Sequence, residues 1–209
     1  MIRSAAVLAA SLALAAGMTG CRVHVEKGAN GEDKNVQVDT PFGGVHVNTN
    51  QTTAADLGLP VYPGALAVTD DDKHKSADVH MGFGEWEMRV QAVNYETTDS
   101  RDKVEAFYRK AMGRFGDVLT CEDGSPVGKP TRTSEGLTCE DSKNSPHVQV
   151  KGDAMSWSDH SGGLQLKAGS KRHQHIVGFE RSREGKTRFA LVALDLPAGI
   201  GNRNSDKSD

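Results

Sequence analysis

The amino-acid sequence predicts an α+β fold, namely a mostly antiparallel sheet with one main amphipathic helix packed on one face. Polar and apolar residues alternate over 77–92, as expected for strands that bury one face. A helical stripe follows at 104–115, and several strand-like segments come after it. One helix among many strands, without strict alternation of the two, is typical of α+β proteins.

The alternating segment predicts a β-hairpin. Its first strand has one apolar face, made of Ala77, Val79, Met81 and Phe83. Its second strand has the same pattern in Trp86, Met88, Val90 and Ala92. The residues between the two runs, Gly82-Phe83-Gly84-Glu85, are of the types that form hairpin turns.

The helix is predicted to begin after Asp99 and to end near Gly113 and Gly116. Aspartate is a common residue at helix N-termini, and glycine is common just past C-termini. Within the helix, apolar residues recur at three- and four-residue steps: Val104, Phe107, Tyr108, Ala111, Met112 and Phe115. We expect this face to pack on the sheet.

The main α+β domain is predicted at 56–196, with shorter segments at both ends. Its later strands are predicted at 147–150, 164–167, 175–179 and 187–196, and the last is the most apolar and therefore central. Segment 21–55 has three β-like pieces: Val23-His24-Val25, Val36-Gln37-Val38 and Val45-His46-Val47. It is predicted to be a tether, either a small antiparallel meander or a disordered spacer. The polar tail at 197–209 is predicted to be disordered.

Residues 1–20 have the features of a secretory signal. Arg3 precedes an apolar run at 5–16, which is shorter than the ~20 residues that span a bilayer and fits a signal peptide. Met18-Thr19-Gly20-Cys21 then resembles the lipobox of bacterial lipoproteins. The resemblance implies cleavage before Cys21 and attachment of lipid to it. The alternatives are an ordinary secretory signal with a chance cysteine, or a buried apolar helix.

The same resemblance implies a location in the cell envelope, with the membrane as a partner through the N-terminal lipid. Arg22 follows the cysteine, where lipoproteins retained in the inner membrane resemble one another in carrying Asp. Attachment to the outer membrane, facing the periplasm, is therefore expected. Two short segments, Val61-Tyr62-Pro63-Gly64-Ala65 and Val104-Glu105-Ala106-Phe107-Tyr108-Arg109, are similar to parts of uncharacterised exported bacterial domains, and this similarity implies no activity.

The sequence contains three cysteines. If Cys21 carries lipid, Cys121 and Cys139 remain as an even pair. In an oxidising compartment such a pair is usually bridged, so a disulfide between them is predicted, with free thiols as the alternative. The bridge would close a loop that has little apolar content of its own.

The sequence contains no Gly-x-Ser-x-Gly, His-Glu-x-x-His or EF-hand motif and no phosphate-binding glycine loop. One set of residues has the chemistry of a zinc site: His173 and His175, which share a strand face, with Asp159 and His160 upstream. Two basic residues directly before His173 disfavour a cation. The histidines are therefore interpreted as the solvated start of a strand, and no metal or other cofactor is expected.

The formal net charge of −3, from 25 basic and 28 acidic side chains, does not favour nucleic acid as a partner, and none is expected. A local basic cluster near the C-terminus could meet anionic lipid headgroups or an acidic partner. It consists of Lys171, Arg172, Arg181, Arg183, Lys186 and Arg188. The alternative is that these side chains are the solvated end of a hairpin.

The sequence therefore favours a lipid-anchored protein of the cell envelope that acts as a noncatalytic binding or structural module. Whether the chain is an enzyme is left open by the sequence, with the noncatalytic function favoured because catalytic motifs are missing. The alternative is a small lipid-anchored, metal-dependent hydrolase that uses the histidine and aspartate set described above.

Overall fold

A computed structural model of the chain describes residues 21–27, 33–68, 76–139, 150–151, 154–155, 163–180 and 185–198. The strands are β1 (Arg22–Lys27), β2 (Asp33–Thr40), β3 (Gly43–Thr49), β4 (Leu66–Ala67), β5 (Ser76–Phe83), β6 (Trp86–Thr97), β7 (Val118–Glu122), β8 (Ser125–Pro126), β9 (Val150–Lys151), β10 (Ala154–Met155), β11 (Leu164–Gly169), β12 (His173–Phe179) and β13 (Thr187–Asp195). The helix α1 is Arg101–Met112, followed by a 3₁₀ turn at Gly113–Phe115.

Eleven of these strands form one sheet in the order β1-β2-β3-β5-β6-β13-β12-β11-β7-β8, with β4 paired to β6. All its neighbouring strands run antiparallel. Strands β9 and β10 form a separate pair. The predicted hairpin is present, since β5 pairs with β6 from Ser76 opposite Val93 to Phe83 opposite Trp86.

The predicted α+β class is wrong. The described part of the chain is dominated by a mostly antiparallel sheet, with only one α-helix of 12 residues. The prediction failed because the helical stripe is the most regular pattern in the sequence, whereas many strands are too short to show a pattern. Strand β7, which contains Cys121, was not predicted at all.

Segment 22–49 continues the main sheet. Strand β1 pairs with β2, β2 with β3, and β3 with β5 from Gly43 opposite Phe83 to Thr49 opposite Ala77. The predicted boundary at 55/56 therefore does not separate two sheets, although the domain boundaries themselves stay predictions. The signal segment 1–20, the tail from residue 199 and residues 147–149 of a predicted strand lie outside the described residues.

Helix α1 begins after Ser100, one residue later than predicted, and its buried residues Val104, Tyr108 and Met112 recur at four-residue steps. They pack in a core with sheet residues that include Leu166, Val177, Phe189 and Leu191. Phe107, Ala111 and Phe115 are only partly buried against the same core. Within the described ranges, no helix has the length and apolar character needed to cross a membrane.

The predicted disulfide between Cys121 and Cys139 is confirmed, with the two Cα atoms 5.6 Å apart. Both cysteines are buried with Leu119 and Leu137 in a small cluster of their own. The bridge joins β7 to the polar loop that follows β8, so it gives this loop a buried attachment that its own sequence does not supply. Closing a loop of this length stabilises the fold by about 3 kcal/mol in the chain-entropy model.

One face of β1, β2, β3, β5 and β6 is lined by apolar side chains. One row of directly opposed residues crosses all five strands: Val25, Val36, Val47, Val79 and Val90. Exposure falls along the row from 41% for Val25 in the edge strand to 7% for Val79. Because successive residues of a strand point to opposite faces, the residues between these valines form the other face, which is polar.

Candidate functional site

Four histidines lie in one row on the polar face. Residues paired directly across the sheet have side chains on the same face, so the row can be followed from strand to strand. It runs through His24, Gln37, His46, His80, Arg89, Asp195 and His173. We call these seven residues the histidine row.

Each histidine of the row has a carboxylate close to its ring. His46 Nε2 lies 3.1 Å from Oδ1 of Asp39, and His80 Nε2 lies 2.6 Å from Oε1 of Glu87. His173 Nδ1 lies 2.8 Å from Oδ1 of Asp195. The fourth pair is looser, with 3.7 Å between His24 Nε2 and Glu26 Oε1. The four histidines of the row are thus members of imidazole–carboxylate pairs and not isolated rings.

His46 and His80 are neighbours at the middle of the row. Their ring centroids are 6.2 Å apart in an edge-to-face arrangement, and 43% and 42% of the two side chains is exposed. The hydrogen bond between His46 and Asp39 lowers the pKa of this carboxyl group, and a second hydrogen bond from Gln37 lowers it further. Asp39 is therefore held in its charged form beside the ring.

Arg89 continues the row into the centre of the sheet. Its Nε and an Nη atom donate to the two oxygens of Asp78, at 3.0 and 2.5 Å, and Gln91 Nε2 donates to the same carboxylate at 3.2 Å. The hydrogen bond to Asp78 raises the pKa of Arg89. This bidentate ion pair with Asp78 fixes the orientation of the planar guanidinium of Arg89.

The open part of the polar face ends where α1 covers the sheet. In the next row, Gln91 lies opposite Ala193 and Ala193 opposite His175. His175 is already packed, because its ring stacks on Phe115 with 3.6 Å between the centroids. Its Nδ1 is buried and has no hydrogen-bond partner among the described residues.

The described residues of the predicted zinc set lie in different environments. His173 and His175 share a face of β12, but His173 is exposed beside Asp195 and His175 is packed on Phe115. Asp159 and His160 lie outside the described residues. Among the residues that are described, no three histidine, cysteine or acidic side chains are grouped to hold a metal ion.

The described members of the predicted basic cluster fall into two groups. Lys171 and Arg172 lie in the turn before β12, whereas Lys186 and Arg188 lie at the start of β13, at the other end of the same hairpin. Successive turns of an antiparallel sheet alternate between its ends, which explains the separation. Lys186 and Arg188 both approach Glu96, at 2.7 and 3.5 Å. Arg181 and Arg183 lie outside the described residues.

Cys21, the predicted site of lipid attachment, is exposed and directly precedes β1. The sequence prediction identified this residue but not the histidine row. The signal for the row was a motif that occurs three times, Val23-His24-Val25, Val45-His46-Val47 and Val79-His80-Met81. Each copy places one histidine between two apolar residues, and therefore on the polar face of a half-buried strand.

Comparison with known proteins adds no relative. No protein-family model, no curated protein and no solved structure matches the chain. The histidine row is therefore defined by the geometry of this chain alone.

Proposed function

We propose that the chain is a noncatalytic binding module of the bacterial cell envelope, held to a membrane by lipid on Cys21. The observation that carries the binding function is the histidine row, a line of exposed and partly exposed polar side chains that crosses seven strands. The lipid anchor is supported by the lipobox resemblance of residues 18–21 and by the exposure of Cys21.

The spacing of the row favours binding over catalysis. Acid–base catalysis needs groups that converge on one reacting atom, within hydrogen-bond distance of it. In the histidine row, neighbouring strands are separated by about 4.8 Å, so its two ends are roughly 29 Å apart. Donors and acceptors distributed over such a length fit an extended polar ligand, which can contact several of them at once.

The binding function can be tested in cells by site-specific photo-crosslinking. A benzoylphenylalanine residue is introduced in place of His24 or of Gln37, and in a control in place of Lys110, which is exposed on α1. We expect adducts from the two row positions and none from Lys110. Replacing His46 and His80 by Ala in the same chains should remove the adducts. Adducts that form equally at Lys110, or no adduct at either row position, would contradict the proposal.

The anchor is tested separately with labelled palmitate. We expect the label on the wild-type chain and its loss in Cys21→Ala, because the thiol of Cys21 is the proposed attachment point. Cys121→Ser with Cys139→Ser is the matched control, since it removes two cysteines that are already joined to each other. Label that persists in Cys21→Ala would show that the chain is not anchored at this residue.

A further inference from the structure

Three aromatic side chains lie at one end of the sheet. Thr40 pairs with Gly43, Gly43 with Phe83 and Phe83 with Trp86, so these residues form the last row of the sheet at this end. Phe42 lies in the turn between β2 and β3 and is 84% exposed, while Phe83 is 46% exposed. The Phe83 and Trp86 rings are in contact, with centroids 6.0 Å apart. We call Phe42, Phe83 and Trp86 the aromatic edge.

Cys21 lies at the same end. In the neighbouring row, Arg22 of β1 lies opposite Asp39 of β2. Because the two strands are antiparallel, the next residues toward this end are Cys21, just before β1, and Thr40 of β2. Arg22 already belongs to β1, so one peptide bond separates Cys21 from the sheet. Anything attached to Cys21 therefore lies beside the aromatic edge.

We infer that the aromatic edge inserts into the surface of a lipid bilayer and forms a second attachment beside the lipid on Cys21. This inference rests on the proposed lipid anchor. An acyl chain on Cys21 brings this end of the sheet to the membrane, and the edge extends from there over about 19 Å, or four strand spacings. Aromatic side chains are favoured at the boundary between headgroups and acyl chains, and stable attachment commonly combines a lipid with a second signal.

The charges of this end identify the kind of lipid surface. Along strands β1, β2, β3, β5 and β6 the described ones are Arg22, Asp39, Glu85 and Glu87, and the turn before β12, at the same end of the sheet, adds Lys171 and Arg172, so basic and acidic residues balance. Such a surface is not attracted to anionic headgroups. Insertion therefore depends on apolar contact, and it takes place on a zwitterionic bilayer and persists at high salt.

The inference also sets the orientation of the histidine row. His24 is three residues from Cys21 along β1, which places it about 10 Å from the aromatic edge. With the edge in the membrane, the strands lead away from the bilayer and the row lies above the headgroups. The row then faces the aqueous phase, where an extended polar ligand can reach it.

The test uses the full lipidated protein in phosphatidylcholine vesicles whose acyl chains carry bromine, a quencher of tryptophan fluorescence. The sequence has two tryptophans, so Trp157→Phe leaves Trp86 as the only emitter. We expect brominated lipid to quench Trp86 at low and at high salt. The quenching should fall when Phe42→Ser and Phe83→Ser are added. It should be unchanged in Leu66→Ser, which alters an exposed apolar residue near the far end of β6. If Trp157→Phe does not fold, the difference in quenching between the wild-type and Trp86→Phe proteins measures the same quantity.

Palmitate labelling of the same preparation separates the two proposals. A labelled protein whose Trp86 is not quenched overturns the aromatic edge and leaves the anchor intact. A protein without the palmitate label overturns the anchor. In that case the quenching of Trp86 by added brominated vesicles still tests insertion of the aromatic edge. Quenching of Trp86 would support insertion of the edge without lipid, and unquenched emission would overturn it.

Discussion

At the scale of single residues, His175 shows how burial changes the chemistry of a side chain. Its ring is stacked on Phe115 at an angle of 9° between the planes, and the guanidinium of Arg114 lies 4.9 Å from the centre of the Phe115 ring. Burial is the main effect and lowers the pKa of His175; the charge of Asp195 opposes this shift, and the charge of Arg114 adds to it. In the folded protein His175 is therefore a neutral packing residue, unlike the exposed His173 on the same strand.

This shift predicts a dependence of stability on pH. The unfolded chain binds a proton at His175 near its ordinary pKa of 6.5, whereas the folded chain resists protonation. The neutral ring of His175 therefore makes its full contribution to stability above pH 6.5, and this contribution is lost as the pH falls below about 6.5. We expect the melting temperature to drop between pH 7.5 and pH 5 less in His175→Leu than in the wild type, with His173→Gln as the exposed control. An equal drop in all three proteins would contradict the burial of a neutral ring.

At the scale of elements, Tyr108 joins α1 to the segment that precedes β4. Its hydroxyl accepts a hydrogen bond from the backbone N–H of Tyr62 at 3.2 Å and donates one to the carbonyl of Pro60 at 3.1 Å. The side chain is fully buried, and its ring contacts Phe107 and Phe189. One oxygen atom thus satisfies two backbone groups of a loop whose prolines prevent regular pairing.

We predict that Tyr108→Phe lowers the free energy of unfolding by about 1–3 kcal/mol, because it leaves the buried N–H of Tyr62 and the partly buried carbonyl of Pro60 without their partner. Tyr62→Phe is the matched control. Tyr62→Phe also removes one tyrosine hydroxyl, but this hydroxyl donates to Asp99. Asp99 keeps its ion pair with Lys103 in the variant, so a smaller loss of stability is expected. Chemical denaturation of the three proteins measures the difference. If Tyr62→Phe were as destabilising as Tyr108→Phe, the role given to the Tyr108 hydroxyl would be wrong.

At the scale of the whole molecule, β1 places the proposed lipid site directly beside a strand of the main sheet. Arg22 is the residue that follows the proposed lipid site, and it lies opposite Asp39 in the sheet. Replacing Arg22 by Asp would therefore have two separate effects. It would change the residue next to the lipid, and it would place two carboxylates opposite each other, which destabilises a strand pair.

We predict that the wild-type lipoprotein is recovered with the outer membrane when envelopes are separated by density. Arg22→Asp should move it to the inner membrane, as the resemblance to retained lipoproteins implies. The double variant Arg22→Asp with Asp39→Asn avoids the opposed carboxylates and should sort in the same way as Arg22→Asp. Recovery of the wild type with the inner membrane would refute the sorting prediction, whereas equal recovery of all three proteins with the outer membrane would refute the role of Arg22.

The sequence by itself determined features that depend on neighbouring residues. Alternation over 77–92 identified the hairpin of β5 and β6, and apolar spacing identified α1, whose predicted start after Asp99 was one residue early. The disulfide of Cys121 with Cys139 followed from counting cysteines. Each of these features can be recognised in a short window, or in the composition, because it does not depend on how distant strands pair.

Only the tertiary structure decided the fold class, the histidine row and the position of Cys21 beside the aromatic edge. Each depends on register between strands that are far apart in the chain, as for His24 and His173 at the two ends of the row. Alternation determines which residues of a strand share a face, but not which residue of another strand lies opposite. That choice is made by backbone hydrogen bonding and burial summed over the whole sheet, and a shift of one residue would have turned the histidines to the apolar face.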